Sequence, residues 1–187
     1  MNERLTQLRR LMAERRMDAY LIPTSDFHES EYVGEYFKCR KFMTGFTGSA
    51  GTAVVTAHEA GLWTDGRYFV QAAKQLEGSG FTLCRMDQEG VPTIEEYLEQ
   101  MIPEGGTLGF DGRVVNSQTG EKLKEILEDK HVTFSYEEDL VGQIWKDRPD
   151  LPAEPVWILE ERYAGKAAGE KLADLRKAMK EAHATVH

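Results

Sequence analysis

Between residues 81 and 145 the sequence alternates between short β-branched, apolar runs and longer amphipathic runs. The predicted strands are 81–85, 107–111 and 131–136, and the predicted helices are 93–101, 117–128 and 139–145. Strands that alternate with helical segments at this spacing pair mostly in parallel and are covered by helices on both faces. The pattern therefore predicts an α/β fold: a three-layer domain with a mostly parallel mixed sheet flanked by helices.

The first part of the chain adds a helix, a strand and a hairpin to this sheet. Apolar residues at helical spacing from Leu5 to Met12 predict a helix, and residues 18–24 then predict a strand that ends at Pro23. The β-branched run at 51–56 and the apolar run at 62–64 predict an antiparallel hairpin. Residues 29–43 are expected to be helical in part.

The segment KDRPDLPAEP, residues 146–155, contains three prolines and cannot hold regular structure. We therefore predict a first domain over residues 1–145, a proline-rich linker over 146–165, and the start of another domain over 166–187.

The predicted last segment resembles the first helix. Residues 172–187 repeat the apolar spacing of residues 5–20, with Leu172 matching Leu5 and Met179 matching Met12. One interpretation is the truncated start of a second, similar domain, because an amphipathic helix with nothing to pack on is marginal. The other is two unrelated amphipathic helices that share a composition.

The charge balance argues against nucleic-acid binding. The chain has 32 acidic and 23 basic residues, a net charge of -9, whereas nucleic-acid binding needs a basic face. No apolar run approaches the roughly 18 residues of a membrane helix, and the N-terminus is not a signal peptide. We expect a cytoplasmic protein with no membrane contact. Cys39 and Cys84 are isolated and indicate buried thiols.

Three glycines in GFTGSAGTA, residues 45–53, raise the possibility of a phosphate-binding loop. Such a loop follows a strand and opens a helix, whereas Gly51 leads into a predicted strand. The context argues against a nucleotide site and favours close approach of one backbone segment to its neighbours.

Arg67 is the main candidate binding residue. Asp65 is predicted to cap a helix over residues 67–76, which places Arg67 in its first turn, where a cation is unfavourable. A guanidinium held there could grip a carboxylate or a carbonyl at two points. The alternative is a simple salt bridge to Asp65 or to another acid. Asp65 and Asp111 lack further ligands at a workable spacing, so capping and turn roles are expected for both rather than metal binding.

His28 lies beside Asp26, Glu29 and Glu31, which is either an acid–base cluster or an ordinary solvated loop. Tyr68 belongs to a group of aromatic residues around the glycine segment, for which packing is the default interpretation. No catalytic triad, redox pair or metal-ligand set emerges from the sequence.

The chain resembles a known family in several motifs. These are SDFHESEY at 25–32, GFTGSAGTA at 45–53, WTDGRYFVQAAKQ at 63–75, DLVGQIWKDRP at 139–149 and KLADLR at 171–176. They are similar to the N-terminal domain of three-domain cytosolic Xaa-Pro aminopeptidases, in the creatinase and prolidase superfamily. The resemblance covers nearly the whole chain.

The resemblance implies a non-catalytic domain that contributes to dimerisation and to substrate access. It implies that Arg67 contacts substrate, with Tyr68 and His28 as weaker candidates, and that the glycine segment lies near an interdomain or dimer face. Two divalent metal ions, usually manganese, would be held by a separate C-terminal domain, so this chain would bind no cofactor and carry no catalytic residue.

The implied partners are short peptides with proline in second position and a second copy of the chain. Two other functions stay open: a catalytically inactive binding module, as in histone-chaperone subunits with this type of fold, and a hydrolase of the prolidase or creatinase type.

Overall fold

The computed structural model describes residues 2–185, which divide into two compact units between Leu151 and Pro152. The last two positions of the predicted repeat, 186 and 187, lie outside the described residues.

The first unit contains the strands and helices that the sequence pattern predicts, with ends that differ by one or two residues. The strands are β1 (Ala19–Ile22), β2 (Thr52–Thr56), β3 (Ala60–Thr64), β4 (Thr82–Arg85), β5 (Thr107–Phe110) and β6 (Thr133–Ser135). The helices are α1 (Glu3–Glu14), α2 (Cys39–Thr44), α3 (Phe69–Gln75), α4 (Ile94–Met101), α5 (Ser117–Ile126) and α6 (Leu140–Ile144). Short 3-10 turns occupy Glu35–Phe37 and Glu128–Lys130.

The strands form one sheet in the order β4-β3-β2-β1-β5-β6. Strand β2 is antiparallel to both of its neighbours, whereas the β1–β5, β3–β4 and β5–β6 pairs are parallel. The predicted mixed sheet with an antiparallel hairpin is therefore confirmed. Because every strand except β2 runs in the same direction, their carboxyl ends meet at one edge of the sheet.

Each face of the sheet packs against its own hydrophobic core. Along β1, Tyr20 and Ile22 face a core that contains Leu8 of α1 and Leu140 of α6. The alternate residues Ala19 and Leu21 belong to a second core. That core contains the apolar residues Leu98 and Ile102 around α4 and Leu123 and Leu127 around α5. Alternating side chains thus bury both faces, and the predicted three-layer architecture is confirmed.

The second unit contains α7 (Glu161–Ala164) and α8 (Ala168–Glu181), preceded by a stretch without helix or strand. Helix α7 lies inside the segment that was predicted as linker. No residue of α8 is buried, and Leu172 and Leu175 on it are 48% and 39% exposed. In α1 the matching residues Leu5 and Leu8 are buried.

Candidate functional site

A cleft of about 470 Å³ opens at the edge of the sheet where the carboxyl ends of the strands meet. Its lining includes residues 23–25 after β1, residues 49–51 before β2 with the first residue of β2, residues 114–116 after β5, and Arg67 after β3. After β1 the chain first adds β2, β3 and β4 on one side of β1, and then crosses to the other side of β1 to form β5 and β6. Ligands of open α/β sheets bind in the crevice at such a reversal, so this cleft is the candidate site.

The prediction that Asp65 caps a helix containing Arg67 was wrong. Helix α3 begins at Phe69, and Tyr68 at its N-cap position makes no side-chain capping hydrogen bond. The Asp65 carboxylate instead accepts the backbone N–H of Arg67 at 3.0 Å. Its oxygens are used within the turn that follows β3, so the helix starts two residues later than predicted.

Arg67 and Asp65 form a bidentate ion pair. Arg67 Nε and Nη2 each donate to a different Asp65 oxygen at 2.8 Å, which fixes the plane of the guanidinium. The hydrogen bond from the Arg67 side chain lowers the pKa of Asp65 to about 2. The simple salt bridge considered from sequence is therefore present. The Arg67 side chain is nevertheless 67% exposed, and no described residue accepts a hydrogen bond from its Nη1.

A second Asp-Gly-Arg turn follows β5 at the same edge of the sheet. Arg113 donates its backbone N–H to Asp111 at 3.1 Å, and its Nε and Nη2 reach the two carboxylate oxygens at 2.9 Å. Arg113 also contacts Asp139 at 3.2 Å, and Asp139 binds Arg148. Sequence reasoning identified the two Asp-Gly pairs as turns and considered the Arg67–Asp65 salt bridge, but it missed Arg113. The signal was available, because Arg113 follows Asp111 at the same spacing as Arg67 follows Asp65.

Tyr68 anchors the glycine segment. Its hydroxyl lies 2.8 Å from Ser49 Oγ, a hydrogen bond that lowers the pKa of Tyr68, and its ring packs edge-on to Phe46 with centroids 5.6 Å apart. Tyr68 is not among the residues that line the cleft, whereas Ser49 is. The structure therefore places Tyr68 outside the lining of the cleft, in contact with a residue that belongs to it.

His28 lies on an exposed turn and does not line the cleft. Asp26 accepts the backbone N–H groups of His28 at 2.8 Å and of Ser30 at 3.0 Å, and hydrogen bonding from Ser30 is the main cause of its lowered pKa. Asp26 is thus a turn residue. Of the acid–base cluster considered from sequence, Glu29 and Glu31 reach the cleft and His28 does not.

The three glycines of the segment have different roles, and two of them lie at close approaches. Gly45 ends α2 with a left-handed φ of 78°. A side chain at Gly48 would begin 2.3 Å from the Phe46 ring, and one at Gly51 would begin 2.9 Å from the Trp63 carbonyl oxygen. Close approach at this segment is confirmed, whereas its position at an interdomain or dimer face stays a prediction.

Arg40 is a buried residue that sequence reasoning did not assign a role. It donates from Nε to Thr24 Oγ1 at 2.9 Å, from Nη1 to the Phe46 carbonyl at 2.7 Å, and from Nη2 to the Gly48 carbonyl. These bonds join α2, the residues after β1 and the glycine segment. No periodic pattern indicates this role, because α2 is only six residues long.

Across residues 2–185, no group of three or more His, Cys, Asp or Glu side chains could hold a metal ion. Asp65 and Asp111 are each bound by an arginine instead. The described residues therefore do not fit a resident metal. The same part of the chain contains no helix that is both long and apolar enough to span a bilayer.

A family model described as "Creatinase/Prolidase N-terminal domain" matches residues 4–140. The chain belongs to this family. A second model of the same description matches residues 147–187. The family membership inferred from the sequence motifs is thus confirmed.

Longer curated proteins match almost the whole of this chain. It is 48% identical over 181 residues to a probable Xaa-Pro aminopeptidase P from Talaromyces marneffei, covering 96% of this chain and 27% of the relative. It is 43% identical over 180 residues to aminopeptidase P2 from Arabidopsis thaliana, covering 94% of this chain and 25% of the relative. The chain therefore spans about a quarter of the length of these curated relatives.

Solved structures show the same fold. The crystal structure of X-prolyl aminopeptidase from Caenorhabditis elegans, described as a cytosolic enzyme with a di-nuclear active site, superposes with a TM-score of 0.81 at 36% identity. The match covers 97% of this chain and 31% of that enzyme. The N-terminal domain of the cytoplasmic peptidase PepQ from Mycobacterium tuberculosis superposes with a TM-score of 0.56 at 29% identity. That match covers 77% of this chain and 99% of the PepQ domain.

Proposed function

We propose that this chain is the non-catalytic N-terminal domain of a longer Xaa-Pro aminopeptidase, a hydrolase that removes the residue preceding proline at a peptide N-terminus. Two observations support this: the similarity to an aminopeptidase extends over 96% of this chain, and the match covers only 27% of that relative. In this proposal, the domain contributes to homodimerisation and limits access of substrates to a catalytic site elsewhere in a cytoplasmic enzyme.

The proposed domain organisation is a first domain at 1–145, a linker at 146–165 and the start of a second, similar domain at 166–187. The exposed apolar residues of α8 support it, because Leu172 and Leu175 match Leu5 and Leu8, which α1 buries. An amphipathic helix that buries nothing gains little stability, so we infer that further chain covers α8 in the complete protein.

The proposed catalytic metals, two divalent ions such as manganese, would be held outside this chain. The described residues offer no suitable ligand group, since both aspartates at the sheet edge are paired with arginines. The C. elegans structure is described with a di-nuclear active site, which supports a metal-dependent mechanism for the complete protein. The metals would supply activated water, while this domain would supply binding contacts.

The single observation that supports a substrate contact is the position of Arg67. Its guanidinium is fixed by Asp65, is two-thirds exposed, and lies on the wall of the cleft with Nη1 free of described acceptors. A fixed guanidinium can donate to a carbonyl or a carboxylate of a short peptide without a large loss of side-chain entropy. Tyr68 would support this role indirectly, and His28, on an exposed turn outside the cleft, has weaker support.

The proposal is tested on the full-length protein with manganese and short Xaa-Pro peptides. We expect Arg67→Lys to raise KM about tenfold with a smaller change in kcat, because a lysine cannot hold the same fork with Asp65. Arg113→Lys, in the matching turn, is the control and should leave KM unchanged.

Three outcomes would contradict parts of the proposal. Unchanged KM in Arg67→Lys would remove the substrate contact. Turnover by the purified 187-residue chain with added manganese would show that the domain is catalytic. A full-length protein that folds and binds a protein partner but hydrolyses no Xaa-Pro peptide would favour the inactive binding module.

A further inference from the structure

A second cavity, of about 170 Å³, lies between residues 31–41 and residues 47–49, next to the cleft. Arg40 lines it and is only 4% exposed. The volume is well below the several hundred Å³ of a drug-sized ligand site, so only a small group fits.

Arg40 has no carboxylate among its partners in the described residues. Its three acceptors are neutral: the Thr24 hydroxyl and the carbonyls of Phe46 and Gly48. A guanidinium has five N–H donors, and these bonds use three of them. Burial lowers the pKa of Arg40 to about 10, so the side chain is still a cation at neutral pH. A buried cation normally has a counter-ion, and here none is built in.

The other residues around this cavity favour an anion with a small apolar part. Lys38 and Lys41 add positive charge, and Tyr32, Val33 and Phe37 add apolar surface. Two acidic side chains lie nearby: Glu35 is paired with Lys38, and Glu31 lines both this cavity and the cleft. The three cations therefore outnumber the two carboxylates.

We propose that this cavity binds the carboxylate of a small apolar acid, with Arg40 as the main donor and Lys41 as a supporting charge. A free apolar acid and the C-terminal residue of a peptide both carry such a carboxylate next to an apolar group. The inference does not depend on the aminopeptidase proposal, because it concerns a different cavity and is tested by binding alone.

The test uses the 187-residue chain labelled with ¹⁵N. N-acetyl-leucine should bind saturably and shift the amide signals of Gly48 and Ser49, whereas N-acetylleucinamide, which has no carboxylate, should not. Lys41→Gln should weaken binding about threefold, as expected for an exposed charge pair. Lys74→Gln, an exposed lysine on α3 that does not line this cavity, is the control and should bind normally.

Arg40→Lys should weaken binding about tenfold because a lysine loses the planar fork. If that variant fails to fold, as judged by circular dichroism, two comparisons still test the proposed site. These are Lys41→Gln against Lys74→Gln, and N-acetyl-leucine against N-acetylleucinamide. Equal binding of the acid and the amide, or equal loss in Lys41→Gln and Lys74→Gln, would overturn the proposal. Tighter binding of N-acetyl-Gly-Gly-Leu than of N-acetyl-leucine would assign the site to a peptide terminus, and exclusion of that peptide would assign it to a free acid.

Discussion

The two Asp-Gly-Arg turns at the edge of the sheet have the same local geometry and different surroundings. In both, the arginine donates its backbone N–H, Nε and Nη2 to the aspartate two residues earlier. Arg113 also donates to Asp139, whereas the Arg67 side chain donates hydrogen bonds only to Asp65 among the described residues.

The difference shows how one short motif can serve two purposes. The turn after β5 joins the sheet to α6, because Asp139 also accepts the Gly142 N–H and binds Arg148. Its ion pairs are therefore part of the structure of the domain. Among the described residues, the turn after β3 makes no such connection, and its guanidinium is open to the cleft. Local sequence determines the ion pair, and tertiary packing determines whether the arginine can bind something else.

The largest expected effect comes from removing the buried aspartate of the turn after β5 and comparing it with removal of the aspartate of the turn after β3. Asp111 is 8% exposed and accepts three hydrogen bonds from Arg113, so Asp111→Ala should lower the free energy of unfolding by about 2–3 kcal/mol. Asp65→Ala removes an equivalent set of bonds at a more exposed position, and should have a clearly smaller effect. Urea denaturation followed by circular dichroism measures both. Equal losses in the two variants would show that the two turns do not differ in structural importance.

The central glycines provide a second, smaller comparison. A side chain at Gly112 would begin 2.9 Å from the Tyr136 carbonyl oxygen, which belongs to the backbone and cannot move freely, whereas one at Gly66 would meet only Phe69 at 3.9 Å. We expect Gly112→Ala to destabilise the domain by about 1–2 kcal/mol. Gly66→Ala should change stability by less than about 0.5 kcal/mol in the same denaturation experiment. Destabilisation by Gly66→Ala as large as that by Gly112→Ala would contradict the comparison.

The fold was predictable because its signals are local and repeated. Alternating apolar runs and amphipathic segments indicate strands and helices, and the hairpin at 51–64 is visible in its β-branched residues. Family membership was recognisable from a few motifs, and the family model matches residues 4–140 of this chain.

The details of the site were less predictable, because they depend on contacts between distant residues. The predicted start of α3 was two residues too early, because the Asp65 carboxylate binds the Arg67 side chain. This interaction competes with helix capping by the same carboxylate. The role of Arg40 depends on Thr24 and Gly48, which are 16 and 8 positions away along the chain. Periodicity carries no information about such contacts.

The smallest expected effect is electrostatic and concerns Asp65. Its pKa of about 2 lies below the ordinary value near 4 because Arg67 stabilises the ionised carboxylate. A carboxyl group whose pKa is lower in the folded state than in the unfolded state stabilises the fold at pH values above its ordinary pKa. This contribution disappears as the pH falls from about 4 to about 2. Arg67→Gln should therefore raise the pKa of Asp65 toward its ordinary value and remove that part of the pH dependence.

Carboxyl ¹³C NMR titration measures the Asp65 pKa directly, and Arg113→Gln is the matched control that should leave it unchanged. High salt should also raise the Asp65 pKa in the unmodified protein, because the pair is exposed and its attraction is screened. An Asp65 that titrates at its ordinary value in the unmodified protein would mean that Arg67 is not held by it in solution. The guanidinium would then enter the cleft without a fixed orientation, and the two turns would differ in local geometry as well as in surroundings.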